Sequence, residues 1–309
     1  MAIIAVDIGG TQLRAAVFKN GSEKPHHNKK TTTRGDGSTF DRLCDLIQSV
    51  MIDDEKVEKI IVATPGPVNP VTGIISSTPN IPEWHDFPIG PNLSSHFKLP
   101  VKVGNDANLA ALGEWRFGAG KGHKHLIYMT ISTGIGGGVI TDGKLLLGVN
   151  GLAAELGHVT IQPDGPVCSC GQSGHIESYT SGPSIARYVK EKIREGSHSS
   201  LKDLPIITAK EITTAAINGD ALAIEALSRA GFYLGMMLAS FVQIFNPSIV
   251  IFGGGVSLSG KYLFDPMQES LKKHVMDQAY IRDLTIATAS LSDNAGLMGA
   301  LALGLLPDN

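Results

Sequence analysis

Two stretches of this chain share one plan. IAVDIGGTQLRAAV, from Ile4, and YMTISTGIGGGVIT, from Tyr128, each read as a strand, a glycine-rich turn carrying threonine, and a second strand. The copies lie about 120 residues apart, too far for neighbouring hairpins of one sheet and the right scale for a duplicated domain. The expectation is two related domains facing each other, with both turns lining the cleft between them. A length of 309 residues fits two domains better than one core.

The rest of the chain alternates in the manner of an α/β protein. Apolar runs at 59–63, 101–103 and 284–289 predict strands, and 139–148 predicts a hairpin turning at Asp142-Gly143. Helical spacing covers 40–51, 106–117, 184–195, roughly 220–245, 265–276 and 295–306, with Pro266 expected in the first turn of its helix. The predicted division is an N-terminal α/β domain of residues 1–117 plus 295–309 and a C-terminal α/β domain of residues 118–294.

Composition narrows the class. Hydrophobic residues make up 42% and charged residues 18%, which is globular rather than disordered. A net charge of −3 with scattered Lys and Arg gives no footprint for nucleic acid. The short basic run HHNKK at 26–30 reads as a solvated loop. The most apolar late segment, Phe232–Phe245, is shorter than a bilayer span and contains Gln243, so it reads as a buried core helix or a dimer-interface helix. With three cysteines and no visible secretion signal, a reducing, cytoplasmic location is expected.

Glycine-rich turns expose backbone N–H groups where no side chain blocks an anion. Three candidates each follow a strand: Gly9, Gly10 and Thr11; Thr133, Gly134, Gly136 and Gly137; and Gly254 and Gly255, after Gly253. Any one could simply be a tight turn; three together point to phosphate binding. The GIGGG segment is followed by a strand rather than a helix, which excludes a dinucleotide fingerprint. Asp7 beside the first turn would repel phosphate unless a cation intervened, and Mg²⁺ held through water is the expected mediator. Asn105 and Asp106, between a strand and a helix, suit an N-cap; beside three phosphate turns, Asp106 also suits a general base, with Asn105 orienting its substrate.

The segment His158–His175 holds four borderline or soft donors, His158, Cys168, Cys170 and His175. Free cysteines with surface histidines would be the plain reading, and C-x-C is not the usual redox spacing. A tetrahedral zinc site that orders an apolar-poor loop fits the set best. Glu155 and Glu177 flank it, and carboxylates held on such a scaffold suit sugar hydroxyls.

The segments DIGGT, NDAN, STGIGGG, AELGH and CSCGQSGHIE, in this order, resemble the ROK family (repressors, open reading frames, sugar kinases) over nearly the whole chain. TPNIPEW and GEWRFGAGKG resemble its bacterial glucokinases. The resemblance implies a two-domain actin-like, ribonuclease-H-like fold with an interdomain cleft, ATP-dependent hexose phosphorylation and a homodimer. It implies Asp106 as catalytic base and sugar contacts from Gly66, Asn80, Asn105, Asp106, Glu155, His158 and Glu177. His158 would give one ring nitrogen to zinc and the other to the sugar, and the turns at 9–11 and 133–137 with Gly254 and Gly255 would hold the nucleotide. ATP, Mg²⁺ and a structural Zn²⁺ are the implied cofactors, with polyphosphate a conceivable donor. Two departures stand out: His175 replaces the last of three family cysteines, and Gln12 stands where many members carry Lys. N-acetylmannosamine, N-acetylglucosamine or other hexose kinases are the near alternatives. A fructokinase is disfavoured by Asn80. A non-catalytic sugar sensor is disfavoured by Asp106 and the phosphate turns, and a repressor by the lack of room for a helix-turn-helix before the first strand.

Overall fold

The computed structural model describes residues 2–19, 22–51, 56–78 and 80–307. The first glycine turn joins β1 (Ala2–Ile8) to β2 (Gln12–Lys19), antiparallel from Ala2↔Lys19 to Ile8↔Leu13. With β3 (His27–Thr32), β4 (Val57–Thr64) and β7 (Val101–Asn105) they form a sheet of order β3-β2-β1-β4-β7. A short ladder pairs β5 (Val68–Asn69) with β6 (Ile74–Ile75). The second sheet repeats the plan. Strands β8 (Leu126–Ile131) and β9 (Ile135–Thr141) flank the second glycine turn, and β10 (Lys144–Leu145), β11 (Ile249–Gly253) and β12 (Thr285–Thr288) complete the order β10-β9-β8-β11-β12. In both sheets a hairpin is followed on one side by two parallel strands, so the sequence repeat is a repeat of topology.

The strands are apolar because both faces of each sheet's centre are covered. β1 is buried along its whole length and β11 likewise. Helix α1 (Thr39–Val50) packs Leu43, Ile47 and Val50 on the first sheet and is capped by Ser38, whose side chain accepts the Asp41 amide. Helix α2 (Ile89–Phe97) shares this layer, and α9 (Ala295–Gly304), with α3 (Asp106–Phe117) packed on it, covers the opposite face, where Gly304 meets Ile3 and Ile61. Beside the second sheet lie α4 (Glu177–Thr180), α5 (Gly182–Arg194), α6 (Ala209–Ile217), α7 (Ala221–Phe245) and α8 (Lys261–His274). α7 is long and apolar enough to cross a bilayer, but it packs on α4, α5, α6 and α8 and serves as the core helix of this layer. Its Gly235 admits α8 so closely that a Cβ there would stand 2.1 Å from the Met267 carbonyl oxygen.

The chain divides into two compact units. One holds the residues up to His123, Gly138–Ala154 and those from Ala289; the other holds Lys124–Gly137 and Glu155–Thr288. The cuts expected near 117 and 294 are therefore interleaved, with the far end of β9, β10 and the loop after it returning to the first unit.

Two local expectations change. HHNKK is not a loop: His27–Thr32 is an edge strand, almost wholly exposed, so it shows no apolar alternation. The helix expected from 265 starts at Lys261, which puts Pro266 inside it. One backbone hydrogen bond is lost there, and the close packing of α8 on α7 offsets it. The Asp142-Gly143 turn is as expected, with φ of 49° and 71° at its two central residues.

Candidate functional site

In the first unit, Asn105 is the N-cap of α3. Its Oδ1 accepts the amides of Ala107 and Asn108 at 3.0 and 3.1 Å. Its Nδ2 donates to the Gly66 carbonyl at 3.2 Å, which ties the loop after β4 to the start of α3. Asp106 is the first helical residue, half-buried, with Oδ1 accepting the Ala107 amide at 2.8 Å. The N-cap reading of Asn105 holds, and the cap fixes where the Asp106 carboxylate stands. A carboxylate in the first turn also lies at the favourable end of the helix dipole.

The first glycine turn is closed by Gly9 N–H donating to the Gln12 carbonyl at 2.8 Å and braced by the Thr33 hydroxyl on the Gly9 carbonyl at 2.6 Å. Asn80 packs its side-chain amide directly over Gly10. Sequence reasoning kept these two apart, one for nucleotide and one for sugar; the structure makes them neighbours. Pro79 of the same segment lies outside the described residues. Asp7 is 9% exposed and ion-paired with Arg14, whose Nε donates at 3.1 Å. Burial pushes the Asp7 carboxyl above its ordinary value, against the pull of the Arg14 charge and hydrogen bond. Arg14 sits one residue past the GGTQL run and carried no sequence signal of its own.

In the second unit, Glu155 is exposed and its carbonyl accepts the His158 amide at 3.1 Å in a single 3₁₀ turn. His158, Cys168, Cys170 and His175 come together, their donor atoms all within 4.8 Å of one another. His158 Nδ1 is 3.6 Å from Cys168 Sγ, and His175 Nδ1 is 3.2 Å from Cys170 Sγ. Donors at zinc bond lengths around one tetrahedral ion lie about 3.3–3.8 Å apart, so these edges fit a zinc ion. Because the Nδ1 atom of His158 faces the thiol, its Nε2 is turned elsewhere. Burial, and then the adjacent Glu177 charge, push the Cys168 thiol up to about 11. A buried thiol beside a buried carboxylate suits a bound cation.

Glu177, at the start of α4, is 6% exposed. Its Oε2 accepts the Ile135 amide at 2.8 Å, and its Oε1 accepts the Ser169 hydroxyl at 2.5 Å and the Cys168 thiol at 3.3 Å. This carboxylate joins the donor-bearing loop to the second glycine turn, a role that the spacing did not reveal.

Thr133 of that turn and Gly255 line one cavity of about 690 Å³, together with Pro183, Lys190, Ile207 and Lys210. Two of the three predicted phosphate turns therefore face the same space. Gly254, at φ 82°, presses so close to β8 that a Cβ would meet the Ile131 carbonyl oxygen at 2.3 Å. The residues from α5 and α6 were not foreseen, since nothing local marks a surface helix as the wall of a cavity.

The duplicated hairpin sheet, with glycine turns at its strand ends and a capped helix carrying Asp106, belongs to a chain of the ROK family, whose model matches residues 3–305. The chain is 36% identical to the glucokinase of Thermotoga maritima over 313 aligned residues, covering 98% of this chain and 97% of that one. It is similar to the ROK glucokinase of Streptomyces griseus solved with glucose and AMPPNP (TM-score 0.82, 34% identity, 98% and 99% of the two chains). It is also similar to the ROK hexokinase of Thermus thermophilus (TM-score 0.85, 32% identity, 97% and 96%).

Proposed function

We propose that this chain is a glucokinase, an enzyme that transfers the γ-phosphoryl group of ATP to the 6-hydroxyl of glucose, giving ADP and glucose 6-phosphate. The observation that carries the reading is the capped start of α3, where Asn105 fixes Asp106 on a rigid element. Full-length similarity to glucokinases supports the substrate.

Asp106 takes the proton of the sugar hydroxyl as its oxygen attacks the γ-phosphorus, and the bond from that phosphorus to the bridging oxygen breaks. In this reading Gly66, Asn80, Asn105, Glu155, His158 Nε2 and Glu177 bind the sugar hydroxyls. The turn that Gly9 closes, through the amides of Gly10 and Thr11, together with Thr133, Gly134, Gly136 and Gly137 and with Gly254 and Gly255, holds the phosphates, and the cavity behind Thr133 and Gly255 takes the nucleoside. Mg²⁺, held through water near Asp7, would neutralise phosphate charge. The four-donor cluster would hold a structural zinc that orders the Pro163–Gly174 loop. The chain acts as a cytoplasmic homodimer in this reading.

Purified protein assayed with glucose, N-acetylmannosamine, N-acetylglucosamine, mannose and fructose, each with ATP and with polyphosphate, tests it. Glucose with ATP should give the highest kcat/KM. A higher value for an N-acetylhexosamine, or for polyphosphate, would replace that part of the reading.

A further inference from the structure

Glu114, near the end of α3, is fully buried and makes contacts that the phosphotransfer reading does not use. Its Oε2 accepts the Ala119 amide at 2.9 Å and the Ser290 hydroxyl at 3.1 Å, and its Oε1 accepts the Leu291 amide at 2.8 Å. Its backbone carbonyl accepts Gly118 and Gly120 at 3.0 and 2.9 Å. The next residue, Trp115, donates its indole N–H to the His123 carbonyl at 2.7 Å. Every partner lies in the first unit, and the partners are not random. Ala119 and His123 lead to the point where the chain first leaves that unit, and Ser290 and Leu291 follow the point where it last returns.

The helices on either side of these points form one block. α3 runs into the first crossing, and α9 begins just after the last. A Cβ on Gly299 would stand 1.9 Å from the Leu109 carbonyl oxygen, and one on Gly113 would stand 2.8 Å from the Gly299 amide nitrogen. The two backbones therefore touch, with no side-chain layer to slide in. Asp106 stands at the other end of α3.

We infer that Glu114 and Trp115 are positioning residues. They clamp the segment before the first and the segment after the last of the four chain crossings to the helix that carries Asp106, so that loosening either segment loosens the seat of the acid. The inference rests on the phosphotransfer reading for its catalytic consequence, but the clamp is a property of the fold. A carboxylate suits the task because all three of its side-chain partners are donors, two of them backbone amides. An amide in its place can accept at one end only and turns a second donor toward the others. A residue that positions the acid, when altered, changes the kinetics of the folded protein, whereas a residue that only stabilises the fold moves Tm and leaves the kinetics of the folded fraction alone.

The experiment compares wild type, Glu114→Gln and Trp115→Phe by steady-state kinetics and by hydrogen exchange of the peptides covering 118–124 and 288–292, with and without glucose. Glu114→Gln should lower kcat about tenfold and raise the KM for sugar about threefold. Its exchange at both crossings should rise together, while β1 and β4 stay protected. Trp115→Phe, which removes only the indole donor, should raise exchange at 118–124 alone and keep its fold if Glu114→Gln does not. Folded variants with wild-type kinetics and unchanged exchange at both crossings would overturn the inference. If wild type phosphorylates none of the sugars, the kinase reading falls; the exchange of the sugar-free proteins still decides whether the clamp exists.

Discussion

The Glu177 carboxylate accepts the Ile135 amide at 2.8 Å, which joins the start of α4 to the strand leaving the second glycine turn. The same carboxylate holds Ser169 and Cys168 in the donor-bearing loop. The donor-bearing loop and the second glycine turn are thus joined by one buried side chain. Glu177→Gln keeps the shape but must present an N–H₂ to one set of donors. It should lower kcat/KM for ATP about tenfold, the cost of one charge-assisted bond. Steady-state titration of ATP at saturating glucose measures this, and an unchanged value would separate the loop from the turn.

Removing the acid tests the chemistry directly. Asp106→Ala should reduce kcat by about 10²–10⁴, the usual worth of a general base. Glucose binding measured by calorimetry should persist, because Asn105 still caps α3. Near-normal turnover in this variant would remove Asp106 from the mechanism.

The four-donor cluster predicts a stoichiometric metal. Elemental analysis of the purified protein should find about one zinc per chain, held by a set of the usual structural kind. Cys170→Ser should bring that value close to zero and lower Tm by several degrees, since metal affinity for such sites is folding free energy. His175→Cys, which supplies the thiolate more common in the family, should keep the zinc and hold it more tightly against a chelator. A metal-free wild type with the same Tm before and after chelation would count against the site.

Asp220 caps α7 and gives a pH-dependent prediction. Burial raises its carboxyl, but hydrogen bonds from the Ala223 amide, the Ser200 hydroxyl and amide, and the Ser199 hydroxyl outweigh this and hold it at about 2. Its folded value lies below the ordinary 3.8, so its stabilisation is full above about 4 and is lost as pH falls toward about 2. Asp220→Ala should cost about 1–2 kcal/mol at neutral pH. The gap in urea midpoint between variant and wild type should narrow across that acid window and stay constant from pH 5 to 8.

Gly235 tests the α7–α8 contact. Alanine there places a methyl 2.1 Å from the Met267 carbonyl oxygen, and the two helices must part. Urea unfolding of Gly235→Ala should show a loss of about 1–3 kcal/mol, the range for overpacking. An unchanged midpoint would mean that α8 shifts freely on α7.

The parts legible in the sequence are those written in local patterns. The repeated hairpin appeared as two strand–turn–strand strings, α3 as an Asn-Asp start on a helical spacing, and the donor cluster as four residues within one short segment. The parts that were not legible depend on distance along the chain or on exposure. Glu114 reaches Leu291 across 177 positions, and no local spacing encodes such a bond. Arg14 against Asp7 looked like an ordinary strand residue until the register of β1 and β2 paired them directly. β3 lacked the apolar alternation that marks a strand, and α8 carried a proline where proline usually announces a start.

The lysines of β3 have a consequence beyond their own strand. His27–Thr32 forms the open margin of the first sheet, where unpaired backbone groups could recruit a strand from another molecule. Lys29 and Lys30 place like charges along that margin, so a second copy approaching edge to edge meets repulsion and must strip water from ammonium groups. A stretch that adds little to the packing of its own unit thus protects the protein from polymerising through its sheet at high concentration.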